Sequence, residues 1–204
     1  MPQGPLGLNT KIGGAGAFVP NQAGKSGDLL VGDAVGKYYE SAYSGACGIG
    51  ANPSGVTTSA GLATTYVGLC LSNPAASGKN LSVQRVSGAF IVAPSTITGI
   101  NLIVGWAAGG ITVHTTALTV LNAKLGVATP ALVGLVDSAC TLVGTPAYAM
   151  PVGQSPTAII SPAFNLDLDG AILIPPGGYL AIGTTIAGPT SGFQGGIMWK
   201  EIPA

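Results

Sequence analysis

His114 is the only histidine in the chain and the first place to look for acid–base chemistry. It sits in Thr112-Val113-His114-Thr115-Thr116-Ala117, and on a β-strand it would share a face with Thr112 and Thr116. A Ser–His–Asp relay is possible in principle, because serines and Asp137 are present. No G-x-S-x-G turn presents a serine to it. The expectation is therefore a hydrogen-bonded structural or interface histidine, with no catalytic residue. A single histidine also excludes multi-histidine metal sites.

Two segments carry fragments of a phosphate loop. Ala23-Gly24-Lys25-Ser26 has the Gly-Lys-Ser triplet, but Val19 stands where a second glycine must let backbone amides wrap the phosphates. Ser77-Gly78-Lys79-Asn80 has Asn73 at the corresponding place and ends in Asn. Neither is read as a nucleotide site, and no cofactor is expected. Asn165, Asp167 and Asp169 would lie on one strand face and could begin a Ca²⁺ site. The following Ala171, Ile172, Leu173 and Ile174 supply no further ligand, so no metal is expected. Cys47, Cys70 and Cys140 lack C-x-x-C spacing and read as small buried hydrophobes with free thiols. Tyr38, Tyr39 and Tyr43 read as packing at a sheet edge or subunit contact, Tyr38 on the opposite strand face from the other two.

The elements that must position these residues follow from composition. The 204 residues include 33 Gly and 15 Pro, and only 7% are charged, against roughly 25% in an ordinary soluble domain. Seven basic and seven acidic residues cancel. Seven scattered cations make no basic patch, so no nucleic-acid partner is expected. Mean hydropathy is +0.54. No charged residue occurs between Arg85 and Lys124, yet Pro94, Asn101 and several glycines interrupt every stretch of about 20 residues that could span a bilayer. No membrane partner and no export leader are expected. A neutral, apolar chain favours association.

From Val35 onward, runs rich in Thr, Val, Ile and aromatics alternate with Gly, Pro, Asn and Ser clusters. Strands are expected over 62–71, 81–93, 97–107, 111–121, 131–136, 140–150, 157–164 and 195–202, with a hairpin over 171–186 turning at Pro175-Pro176-Gly177-Gly178. In 62–71, Thr65, Val67, Leu69 and Leu71 share one face, and Tyr66 and Cys70 share the other. In 81–93 the apolar set changes phase from Leu81 and Val83 to Val86 and Phe90, which signals a bulge or a strand buried on both sides. The pattern predicts an all-β, jelly-roll-like β-sandwich of about eight to ten strands over 35–204.

Residues 1–34 differ. They hold many glycines and no sustained periodicity, and they read as an extended N-terminal arm. Leu6, Leu8, Ile12, Phe18 and Val19 make the arm too apolar for a free linker and are the expected contacts with a partner; the alternative is a disordered tail.

Several stretches resemble a family of tailed-bacteriophage virion proteins. The similarity lies in Gly61-Leu62-Ala63-Thr64-Thr65-Tyr66, in Leu69-Cys70-Leu71-Ser72-Asn73-Pro74, in Ser77-Gly78-Lys79-Asn80-Leu81 and in Ile174-Pro175-Pro176-Gly177-Gly178-Tyr179, behind a tyrosine-containing first strand. It covers about 38–92 and 171–183. The resemblance implies a non-enzymatic capsid decoration (cement) protein, often a homotrimer, made in the host cytoplasm and bound to the major capsid protein on the virion surface. It brings no active-site residues. The alternative is a fibre or receptor/glycan-binding module, with Asp167, Asp169 and loop 186–196 as its candidate contacts. The Asn73-Pro74…Ser77-Gly78-Lys79-Asn80 loop has its own physical logic: Pro74 holds Asn73 extended, Gly78 supplies a positive φ, Asn80 bonds local backbone, and Lys79 is exposed at the tip.

Overall fold

A computed structural model describes residues 10–11, 18–19, 37–126, 132–157 and 163–204. The chain divides into two compact units, Met1–Tyr39 and Glu40–Ala204. In the first, strands β1 (Thr10–Lys11) and β2 (Phe18–Val19) pair antiparallel, Thr10 opposite Val19 and Lys11 opposite Phe18. Leu6, Leu8 and Ile12 lie outside the described residues, and so does the Ala23–Ser26 segment.

The region expected to open with a tyrosine-bearing strand is instead a short helix, α1 (Tyr39–Tyr43). Tyr39 and Tyr43 are then four residues apart on one helical face. Eleven strands follow among the described residues: β3 (Cys47–Ala51), β4 (Thr65–Ser72), β5 (Lys79–Phe90), β6 (Thr98–Trp106), β7 (Val113–Leu118), β8 (Leu121–Asn122), β9 (Leu135–Thr141), β10 (Ala147–Ser155), β11 (Phe164–Ile174), β12 (Gly178–Thr184) and β13 (Phe193–Pro203). They form a six-stranded sheet, β10-β6-β12-β4-β9-β7, and a five-stranded sheet, β11-β5-β13-β3-β8, with every pair antiparallel. The fold is an all-β sandwich. Most connections carry the chain from one sheet to the other, the wrapping expected of a jelly-roll-like arrangement.

Period-two alternation builds two buried layers. Leu69 and Leu71 of β4, Leu180 and Ile182 of β12, and Phe193, Ile197 and Trp199 of β13 point between the sheets. On the other face of the six-stranded sheet, Tyr66, Cys70, Ile103, Cys140, Tyr179 and Ala181 form a second buried cluster with Leu142. Trp199 lies in a slot with no room for side chains. A Cβ on Gly48 would come within 2.3 Å of its ring, and one on Gly134 within 2.7 Å. The phase change in β5 is a bulge: Met198 pairs with Arg85 and Trp199 with Val83, leaving Gln84 over.

Further expectations need correction. Residues 171–186 are not a hairpin. Ile174 pairs with Leu81 in the five-stranded sheet, whereas Gly178 pairs with Trp106 in the six-stranded one. Two successive prolines offer no N–H to a ladder, and Gly177, at φ 82°, turns the chain across the sandwich. Asn73 locks that crossing, donating from Nδ2 to the carbonyls of Ile174 and Lys79 while its backbone bonds Gly177 and Gly178. Among the described residues it is thus Asn73 and Ser77, not Asn80, whose side chains bond the loop backbone. Secondly, the expected break between 136 and 140 lies inside β9, because Asp137 is held within the sheet rather than in a turn. Thirdly, Lys79 is not a free tip. Its ammonium pairs with Glu201 at 2.8 Å, and the other Glu201 oxygen accepts the Val133 and Gly134 amides at 2.6 and 3.0 Å.

Candidate functional site

Edge strand β7 places His114 next to β9, and the two strands meet through register shifts at His114/Thr116 and Thr116/Ala117. These shifts break simple alternation, so Thr112 is buried while Thr116 is exposed. They also let the imidazole reach along β9. His114 Nδ1 lies 2.6 Å from Oδ2 of Asp137. Asp137 is completely buried and its Oδ1 has no hydrogen-bond partner. Burial pushes the Asp137 carboxyl up, and the hydrogen bond and charge of His114 act against that rise. The carboxylate fixes the ring and leaves Nε2 as the nitrogen without a partner among the described residues. The histidine is hydrogen-bonded, as its isolation in the sequence suggested. Its partner, Asp137, 23 residues away, is the carboxylate that the sequence offered for a relay.

His114 also lines a cavity of about 280 Å³ with Ser72, Asn73, Pro74, Ala75, Ala76, Ile111, Thr112 and Leu135. Ser72 Oγ donates to the Leu135 carbonyl at 3.5 Å, so the one serine of this cavity is turned to backbone rather than to the imidazole. The arrangement offers one oriented imidazole above walls that are apolar apart from Ser72, Asn73 and Thr112: it can donate or accept a hydrogen bond at Nε2.

Strand β7 itself is the outer edge of the six-stranded sheet, and five of its six side chains are exposed. It contains no Lys, Pro or carboxylate. Ile111 (68% exposed), Val113 (58%), Leu121 and Leu125 (79%) extend an apolar surface past both of its ends. A second cavity of about 350 Å³, lined by Ile49, Ala51, Pro53, Ala117, Leu118 and Leu121, opens at its C-terminal end. Natural edge strands usually carry charges or proline that block pairing with another chain. The opposite edge, β10, has Pro151 and two register shifts. Among the described residues, register shifts alone protect β7.

The acidic segment is brought to the opposite end of the other sheet. Asn165, Asp167 and Asp169 are exposed as alternation predicts, but Arg85 Nε binds Asp167 at 2.5 Å. Asp169 and Gly170 both take positive φ, 51° and 84°, where β11 shifts register against β5. No group of three metal-capable side chains occurs among the described residues. Cys47, Cys70 and Cys140 are buried free thiols. Tyr43 is partly exposed and holds the Lys124 ammonium 4.1 Å from its ring centre. Trp106, which no local motif singles out, is 56% exposed, with its indole N–H fixed on the Pro176 carbonyl at 3.0 Å and its side chain lining a cavity of about 290 Å³. No helix among the described residues is long and apolar enough to cross a membrane. Comparison with protein-family models, with curated proteins and with solved structures finds no match to this chain.

Proposed function

We propose that this protein is a non-enzymatic structural component that works by covering and being covered: a decoration (cement) protein of a tailed-bacteriophage capsid. Copies, as homotrimers, would sit on the outer shell and clamp neighbouring major capsid subunits. The observation that carries the reading is the β7 edge. It is an uncharged strand with open backbone groups, apolar side chains past both ends and a cavity at each end. In water such an edge favours pairing with another chain. The near absence of charge and the resemblance of the 61–81 and 174–179 segments to virion proteins point the same way. Each copy contributing an interface of roughly 1,000 Å² or more would resist outward pressure on the shell by summed burial. Mixing purified protein with empty shells and counting bound copies by sedimentation tests it; shells that stay bare at micromolar protein refute it.

A fibre or receptor-binding role is the second reading, and Trp106 favours it more than the acidic segment does. An exposed indole with a fixed N–H is a ready stacking platform. Asp167, by contrast, is already engaged by Arg85. A glycan array probed with protein and with Trp106→Ala decides between the two.

A further inference from the structure

The cavity beside His114 has the make-up of a binding site for one neutral, partly polar group. Its walls are apolar at Pro74, Ala75, Ala76, Ile111 and Leu135. The Ser72 hydroxyl is turned to the Leu135 carbonyl. Asn73 and Thr112 also line it; Asn73 Nδ2 is spent on the Ile174 and Lys79 carbonyls and its Oδ1 is buried without a partner, while the imidazole is held from behind by a carboxylate that no ligand can reach, since Asp137 is fully buried. Small-molecule sites typically combine apolar walls with a few placed polar groups, and about 280 Å³ lies at the small end of their usual range.

Proton bookkeeping then restricts the ligand. When the imidazole and the carboxyl together hold the shared proton, Nε2 carries hydrogen and is a donor. When that proton is lost, Nδ1–H points at the carboxylate and Nε2 becomes an acceptor. A hydroxyl satisfies both states, because it donates and accepts. An anion would sit close to the buried Asp137 carboxylate in the second state, and a cation would meet the N–H in the first. The hydroxyl must be borne on an apolar body that fills the cavity, and a flat ring does so with little loss of conformational freedom.

We propose that the His114 cavity binds a phenol, its hydroxyl on Nε2 and its ring against Pro74, Ala75, Ile111 and Leu135. The source is either a free phenolic compound or the tyrosine side chain of a partner protein. The proposal does not rest on the decoration reading; a protein that leaves shells bare would still bind a phenol.

The test is a titration of the full-length protein, ¹⁵N-labelled at histidine, with p-cresol, which is the tyrosine side chain itself. Toluene, the same shape without the hydroxyl, is the control. The expected result is a saturable shift of the Nε2 resonance by p-cresol and binding about tenfold weaker for toluene, the effect of one hydrogen bond. His114→Ala should lower p-cresol affinity by a similar factor, and the toluene comparison stands even if that variant folds poorly. Acetyl-Gly-Tyr-Gly-amide separates the sources: an equal shift shows that the cavity admits a chain-borne tyrosine, and p-cresol binding alone shows a site for free phenols. Toluene binding as tightly as p-cresol, or imidazole resonances that neither ligand moves at millimolar concentration, overturns the proposal.

Discussion

Two tyrosines in one buried cluster should respond oppositely to the same substitution. Tyr66 and Tyr179 lie together on the outer face of the six-stranded sheet, each about 1% exposed. The Tyr66 hydroxyl accepts the Leu69 amide at 2.8 Å and is 2.6 Å from the Ile182 carbonyl and 3.0 Å from that of Leu69. It closes a gap in the sheet where β4 shifts register against β9 between Val67 and Cys70. The Tyr179 hydroxyl is equally buried and has no partner. Tyr66→Phe leaves the Leu69 amide and one carbonyl buried without a hydrogen bond, at roughly 1–3 kcal/mol for each group. The expected loss is about 3 kcal/mol. For a unit of this size, roughly 2–4 °C per kcal/mol gives a fall in Tm of about 6–12 °C. Tyr179→Phe removes a group that folding strips of water for no return, so its effect should lie between about zero and a gain of ~1 kcal/mol. Urea unfolding followed by tryptophan fluorescence, with a thermal scan of each variant, measures both. Equal losses in the two variants would refute the reasoning, because burial of the ring is all that they share.

Gly48→Ala should cost about 3 kcal/mol of unfolding free energy in urea titrations, since its Cβ would stand 2.3 Å from the Trp199 ring, which Gly134 also crowds. The Asp137 carboxyl is raised by burial, so the folded chain holds that proton at a pH where the unfolded chain has released it. Stability from this group is therefore present at acid pH and falls as pH rises from the ordinary carboxyl value, about 3.9, through the raised one; Asp137→Asn should flatten that slope in unfolding midpoints taken from pH 4 upward. Thr115→Lys puts a charge on the open edge of β7 without touching the core, and should lower the sedimentation-derived association state while leaving Tm within about 1 °C.

Strand class and sandwich architecture were legible because alternation is a local property. Leu69 and Leu71 against Tyr66 and Cys70 announce the two faces of β4 before any partner is known. The bulge at Gln84 was legible for the same reason, as a phase change within one strand. What the sequence hid was which sheet each strand joins. Pro175-Pro176-Gly177-Gly178 reads as a turn and is one, but a turn that reverses within a sheet and one that crosses between sheets use the same residues. The strand position of Asp137 was hidden by its chemistry: an Asp-Ser pair normally marks a turn, whereas here its pairing with Cys70 and Ala117 and its hydrogen bond with His114 hold it in β9. The short helix at Tyr39–Tyr43 stands where two β-favouring tyrosines point to a strand, and the intervening Glu40 and Ala42 are good helix formers. Contacts such as Lys79 with Glu201, 122 residues apart, have no local signature.

The central claim is that the chain is a structural coat component that acts through its apolar surface. An electron-microscopy map of particles assembled with this protein tests it most directly. The expected result is the sandwich seated on the outer shell as trimers bridging neighbouring shell subunits, with the β7 edge, from Ile111 to Leu125, buried against another chain. Density for the sandwich at a fibre tip, or on the shell with that edge facing solvent, would contradict it.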